Sequence, residues 1–411
     1  MRWLMRTFCL TVCAALASCT GSPRLLNDTQ RVVIDRAVIE RPVGLDITTF
    51  IKDLTAPVAI AFENEPNDYI GSILIAEAGI DREPHIFGFR PDGTRFDIYP
   101  KSRNPLARMF GSYERIFGPI GGMTIRDGEI FVSHRDREGD GIVSAFSYDG
   151  SRRTVVADLP ARGDFGVTDL AFHPTNGRLY FGVGAATNSG VVGIDNWERG
   201  WVRYNRKFSD EPSVDMKLLG YRFDTPNPRG GLLGGNDISV TAPFQPFGAS
   251  NRLRISKSPT GKPSAALYSI SAGGGDLRVE AHGVRHARGL VFNDFGNLFV
   301  TDQGMELRGT RPVKDDPDSV LRIPPGAGTW FGWPDFSADL SPITDERFQP
   351  PPEMITRTGY PEVSFLIDHQ GSGLIRPDRQ TLVRGLFPSL SGAAKMDIIE
   401  DQPGFDSGNG H

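Results

Sequence analysis

Val167-Thr168-Asp169-Leu170-Ala171-Phe172, followed by Arg178-Leu179-Tyr180-Phe181-Gly182-Val183, is the stretch that decides the fold. Two short apolar runs, joined by a turn carrying Asn176-Gly177, read as an antiparallel hairpin with period-2 alternation. The same unit returns three more times. Pro57-Val58-Ala59-Ile60-Ala61-Phe62 precedes Ser72-Ile73-Leu74-Ile75-Ala76-Glu77, and Ile120-Gly121-Gly122-Met123-Thr124-Ile125 precedes Glu129-Ile130-Phe131-Val132-Ser133-His134. Ala287-Arg288-Gly289-Leu290-Val291-Phe292 precedes Asn297-Leu298-Phe299-Val300-Thr301-Asp302. Three copies are followed by an outer hairpin, over 86–98, 142–156 and 267–279. Four antiparallel strands per repeat predict an all-β fold, a β-propeller of four-stranded blades, with small residues in each first strand suiting a crowded axis. A β-sandwich is the bland alternative.

Composition agrees: 48 Gly, 31 Pro and 10% aromatics in 411 residues fit many short strands and turns. Arg2 and Arg6 precede an apolar run, Phe8 to Ala17, which is too short to span a bilayer and has signal-peptide length. It ends in Leu16-Ala17-Ser18-Cys19, the pattern of a lipobox, so residues 1–18 are expected to be removed and Cys19 lipidated. All three cysteines, Cys9, Cys13 and Cys19, lie there, which leaves the mature body no disulfide or thiolate metal site. The expected product is exported and tethered to the cell envelope through lipid, most simply on the outer membrane facing the periplasm. Removing 1–18 takes away two arginines and no acid, moving the net charge from -5 to -7. Such a surface argues against nucleic acid as a partner.

Residues 19–50 read as linker and lead-in and 51–411 as the propeller, with an insertion over about 187–263 inside the third blade. A shorter insertion runs from Gln303 to Pro317. Both leave from the loop between a blade's second and third strands, and long insertions on one face commonly build a binding site. Glu77, His134, Asn188 and Asp302 are expected near that face, with Arg162, Asp164, Arg285, His286 and Arg288. The cluster reads equally as an anion site or a solvated rim. Ser391-Gly392-Ala393-Ala394-Lys395-Met396-Asp397-Ile398-Ile399 reads as the first strand of a further, incomplete blade.

The chain resembles the glucose/sorbosone dehydrogenases over roughly residues 50–400. The resemblance rests on the stretch 177–190 (Gly-Arg-Leu-Tyr-Phe-Gly-Val-Gly-Ala-Ala-Thr-Asn-Ser-Gly), on 283–290 (Gly-Val-Arg-His-Ala-Arg-Gly-Leu) and on 330–336 (Trp-Phe-Gly-Trp-Pro-Asp-Phe). Asp318-Ser319-Val320-Leu321-Arg322-Ile323 precedes the last of these. It implies six blades, pyrroloquinoline quinone and calcium as cofactors, and oxidation of a sugar or polyol CH–OH group by hydride transfer. Phe165 stands where the family has its basic histidine, and a phenyl ring accepts no proton. Ala185 replaces an acid, and Ser389-Leu390-Ser391-Gly392 lacks a further histidine. Arg285 matches the family's site arginine; His286 and Asp164 are the candidate replacements for the base, Arg285, Arg288 and Asn188 the candidates for the quinone, and Asp302 for the metal. The other acidic groups weighed for calcium are Asp136, Glu138 and Asp140, and Asp315, Asp316 and Asp318. A catalytically inactive sugar- or ligand-binding propeller is the alternative, and a calcium-dependent lactonase a third reading.

Overall fold

Each of the four repeated pairs forms the first two strands of an antiparallel sheet. The computed structural model describes residues 22–35, 46–80, 82–101, 115–230, 236–250, 255–326, 328–354 and 362–398. The expected signal sequence and Cys19 lie outside the described residues, as does the chain beyond Ile398. Blade one comprises β1 (Pro57–Phe62), β2 (Ile73–Glu77), β3 (His85–Phe89) and β4 (Arg95–Tyr99); blade two comprises β5 (Phe117–Arg126), β6 (Glu129–Arg135), β7 (Gly141–Phe146) and β8 (Arg152–Leu159). Blade three is β9 (Val167–Phe172) and β10 (Leu179–Val183), then the insertion, with helices α1 (Ile194–Glu198) and α2 (Trp201–Tyr204), then β11 (Ala266–Ile270) and β12 (Arg278–His282). Blade four is β13 (Ala287–Phe292), β14 (Leu298–Asp302), β15 (Asp318–Ile323) and, after β16 (Thr329–Trp330), β17 (Val383–Phe387).

Register follows the alternation. In blade three Tyr180 pairs with Ala171 and Ser269, and Phe181 with Leu170 and Tyr268. In blade one the second strand is buried on both faces, Leu74 and Ala76 against blade two and Ile75 against the lead-in residues Leu25, Ile51 and Leu54. The Asp127-Gly128 turn takes positive φ at both positions, 52° and 70°, which is the hairpin geometry that the dipeptide favours. Phe131, Val143, Leu170, Phe181 and Tyr268 fill the seam between blades two and three.

The first strands approach closely around the axis, β1 beside β5, β5 beside β9 and β9 beside β13. Glycine makes this possible. A Cβ on Gly121 would lie 2.1 Å from the Val167 carbonyl oxygen, and one on Gly289 2.3 Å from that of Ala394. Hydrogen bonds then cross the blades: Ile120 N to Ala78 O at 2.9 Å, Ser133 Oγ to Thr168 O at 2.6 Å, and Leu290 N to Asp169 Oδ2 at 3.1 Å.

The described residues hold four four-stranded blades, so the expectation of six is not confirmed. The reason is visible in the chain path. After β15 the segment does not build another blade: β16 pairs in parallel with β12, and the chain from Trp330 packs with the insertion into a separate apolar core. Trp330, Trp333 and Phe336 meet Phe165, Phe223 and Phe244 there. Ser391 to Ile398 forms no ladder, but Ala394 O accepts from Thr301 Oγ1 at 2.7 Å, beside Gly289 on β13. On β1, Ile60 and Phe62 stay more than half exposed.

Gly121→Ala should therefore lower the unfolding free energy by about 1–3 kcal/mol through overpacking against backbone, whereas Phe62→Thr should change it by less than about 0.5 kcal/mol. Urea denaturation of both variants checks the contrast.

Candidate functional site in the channel mouth

Where the first strands begin, their lead-in loops surround a cavity of about 470 Å³ at the channel mouth. Its apolar wall comes from blades one and two, through Val58, Ala78 and Ile120. Its polar wall carries three cations, Arg135, Arg288 and Lys395, together with His286 and Gln303.

Arg135 ends β6. Its guanidinium lies over Gly166, where a Cβ would sit 3.1 Å from Nη2 and 3.2 Å from Nε. Nη2 reaches only Gly163 O, at 3.5 Å, and Nε is buried without a partner. Burial lowers its pKa, against the attraction of Asp164. Arg288 makes one long bond, Nη1 to Gly392 O at 3.4 Å. Lys395 reaches across from the segment beside β13 to the Asp169 carboxylate and to Gly121 O at 3.1 Å. Burial pushes the Lys395 pKa down, against its pairing with Asp169.

His286 stacks on Phe165, with ring centroids 4.1 Å apart. Its Nδ1 meets Gln303 Oε1 at 2.6 Å, so Nδ1 carries the proton and Nε2 is the free acceptor. Burial, aided by the charges of Arg285 and Arg288, takes its pKa down to about 3 despite the Gln303 bond.

Asp164 also lines the cavity, but its carboxylate is buried, and it and the other expected site residues are held by protein partners. Arg285 is buried and donates five bonds: Nε to Asn188 O, Nη1 to Gln303 O and Gly304 O, Nη2 to Asn188 Oδ1 and Glu306 Oε1. A guanidinium has five N–H groups, so none is left for a ligand. Asn188 also donates to Glu306 O and Arg308 O. Asp164 accepts from Trp201 Nε1 at 2.8 Å, Asn196 Nδ2 at 3.0 Å and Arg308 Nη2 at 2.7 Å. That carboxylate pins the insertion to the blade and is not free to act as a base. His134 is buried, with Nε2 on Ser144 Oγ and Nδ1 on Arg135 O, and burial lowers its pKa to about 4. Glu77 holds Thr55 N and Arg82.

The acids expected at calcium spend their oxygens elsewhere. Asp302 accepts from Arg285 N and His286 N, Asp316 from Met305 N and Ala338 N, and Asp318 from Gly304 N and Ala393 N. Asp140 forms a two-point pair with Arg162. Among the described residues no group of three or more His, Cys, Asp or Glu is placed to hold a metal. These residues do not fit calcium.

No family model matches the chain, and no curated protein matches it. Solved structures do. The PQQ-bound aldose sugar dehydrogenase of Streptomyces coelicolor is 16% identical, with 69% of this chain and 63% of that one covered and a TM-score of 0.38. The holo PQQ domain of a pyranose dehydrogenase from Coprinopsis cinerea is 11% identical, with 69% and 55% covered and a TM-score of 0.37. A Thermus thermophilus protein assigned as an oxidoreductase (glucose dehydrogenase) is 19% identical, with 85% and 89% covered and a TM-score of 0.39. The chain resembles propeller sugar dehydrogenases. It spans less than two thirds of the length of the first two.

Arg135 and Lys395 were missed from sequence. Arg135 ends a second strand and Lys395 lies on the unpaired segment beside β13, and both reach the cavity only because the blades curve round an axis. The signal available was a cation within an otherwise small-residue or apolar first or second strand.

Because its five bonds are internal, Arg285→Met should lower stability by about 3–5 kcal/mol, read as a shift in the denaturation midpoint. A pH dependence follows from the buried acids. Burial raises Asp316 to about 8, and Asp195, Asp210 and Asp302 to about 6. A folded pKa above the unfolded one makes stability fall as pH rises between those two values. Between about pH 6 and 8 the loss from Asp316 should approach about 1.4 kcal/mol per unit, and Asp316→Asn should flatten that limb in a denaturation series across pH.

Proposed function

We propose that the channel-mouth cavity binds a compact polycarboxylate, pyrroloquinoline quinone, and that the protein oxidises a sugar or polyol CH–OH group beside it. The observation that carries this is the convergence of Arg135, Arg288 and Lys395 on one cavity, with Asp169 the carboxylate bound to Lys395. The buried, unpartnered Arg135 Nε supports an anionic guest, since a buried donor left unmade is costly. At about 470 Å³ the volume falls within the range of small-molecule pockets. Guanidinium groups suit carboxylates in two-point contact. The sugar comes from the sequence resemblance, and the expected lipid at Cys19 would place this chemistry in the cell envelope.

When bound, the quinone supplies the two-electron acceptor for the hydride. The chain's own part is binding and proton transfer. Arg135 and Arg288 hold carboxylates, and Lys395 adds charge while spanning the channel. His286 Nε2 takes the hydroxyl proton, its ring fixed by Gln303 and by stacking on Phe165. Since the imidazole lies against Phe165, it stands one ring thickness from the position where the resemblance puts the family's base. One observation favours the second reading, a binding propeller without turnover: an imidazole with a pKa near 3 is a weak proton acceptor at neutral pH.

Calorimetric titration with pyrroloquinoline quinone, followed by a dye-linked oxidation screen over aldoses, decides between them. Binding with turnover is expected, with Arg288→Ala weakening binding about tenfold, one lost charge-assisted contact. His286→Asn should abolish oxidation with binding kept, and the wild-type rate should show no acid limb from His286 above about pH 4. Binding without turnover supports the second reading, and a folded protein that binds nothing sinks both quinone proposals.

A further inference from the structure

A second, larger cavity of about 960 Å³ opens between the insertion and the edge of blade two, and its lining shares no residue with the channel mouth. Six cations line it: Arg162, Arg203, Arg206, Lys207, Lys257 and Lys262. Three acids face them. Asp140 is taken by Arg162 in a two-point pair, and Glu211 by Thr260 and, at 3.8 Å, by Lys257. That leaves Arg203, Arg206, Lys207 and Lys262 against Asp158 alone. On a chain of net charge -5, such a local excess of positive charge runs against the average.

Two further features say what kind of anion the cavity suits. Tyr204, at the end of α2, is 85% exposed and lies among the cations, an open aromatic face suited to a sugar ring. Asn205, Ser209, Gln245 and Thr260 add amide and hydroxyl groups to the lining. The geometry points to a binding site for an acidic oligosaccharide, one whose uronate carboxylates meet Arg206, Lys207 and Lys262 while a pyranose ring rests on Tyr204. A single inorganic anion would leave most of a cavity this size unfilled. Its volume is at the upper end of the roughly 300–1,000 Å³ range of small-molecule pockets. Single-stranded nucleic acid is favoured less, because it needs several open aromatic faces along a basic track, and of the two aromatics here Phe208 is half-buried against Trp201.

Isothermal titration calorimetry of the purified protein with trigalacturonate tests the site at low ionic strength. Trigalacturonate should bind, maltotriose should bind at least tenfold more weakly, and sodium sulfate should not compete at matched charge. Arg206 and Lys207 are exposed, so the double variant Arg206→Ala/Lys207→Ala should keep its denaturation midpoint and lose about tenfold or more in affinity. Tyr204→Ala should lose severalfold. Absence of binding by folded protein, affinity untouched by the double variant, or tighter binding of an oligodeoxythymidylate than of trigalacturonate would each overturn the assignment. Quinone titration into the double variant should be unchanged, which separates this site from the channel.

Discussion

The architecture of the channel mouth depends on one side chain, Arg285, and on where its five N–H groups go. They tie the start of β13 to the 303–306 loop of blade four and to Asn188 in the insertion, 97 residues away in sequence. The guanidinium also lies 4.6 Å from the Phe165 ring centroid, and Phe165 in turn supports His286. The stack of cation, phenyl and imidazole sets where the pocket wall stands. A buried donor left unmade is costly, so the acceptors that match all five of Arg285's donors are as fixed as the cation itself.

A second ionic centre extends this constraint outward. Arg308 bonds Asp164, Asp195 and Glu306. Burial works against its charge, but the three carboxylates outweigh it and hold the pKa above the usual arginine value. Glu306, shared by Arg308 and Arg285, drops to about 2 against its own burial. Lead-in loop, helical insertion and blade-four loop are thus joined by charges that compensate one another. Acids that look like ligands in the sequence are consumed in this way. Arg135 and Arg288, which face the channel mouth, stand outside this network.

That division explains how far the residues could be read in advance. The blade strands were legible because period-2 alternation and Gly-containing turns act locally: Val167 to Val183 reads as a hairpin and is one. His286 and Arg288, expected on the face from which the insertions leave, do line the channel-mouth cavity. Asp164, Asn188 and Arg285 were also drawn to that face, but their polar atoms turn inward to protein partners. Their roles depend on partners up to 144 residues distant, as with Arg308 donating to Asp164, and no local pattern encodes those.

The sequence by itself determined an all-β chain of hairpin repeats with glycine at the tightest positions, because side-chain alternation and backbone freedom are properties of neighbouring residues. It also carried the resemblance to propeller dehydrogenases. Only the tertiary structure decided the number of blades described, the diversion of Trp330 to Phe336 into a capping core, and which charges meet. Whether a carboxylate is a ligand, a base or a clamp is set by the donors that folding brings to it, and those come from every part of the chain.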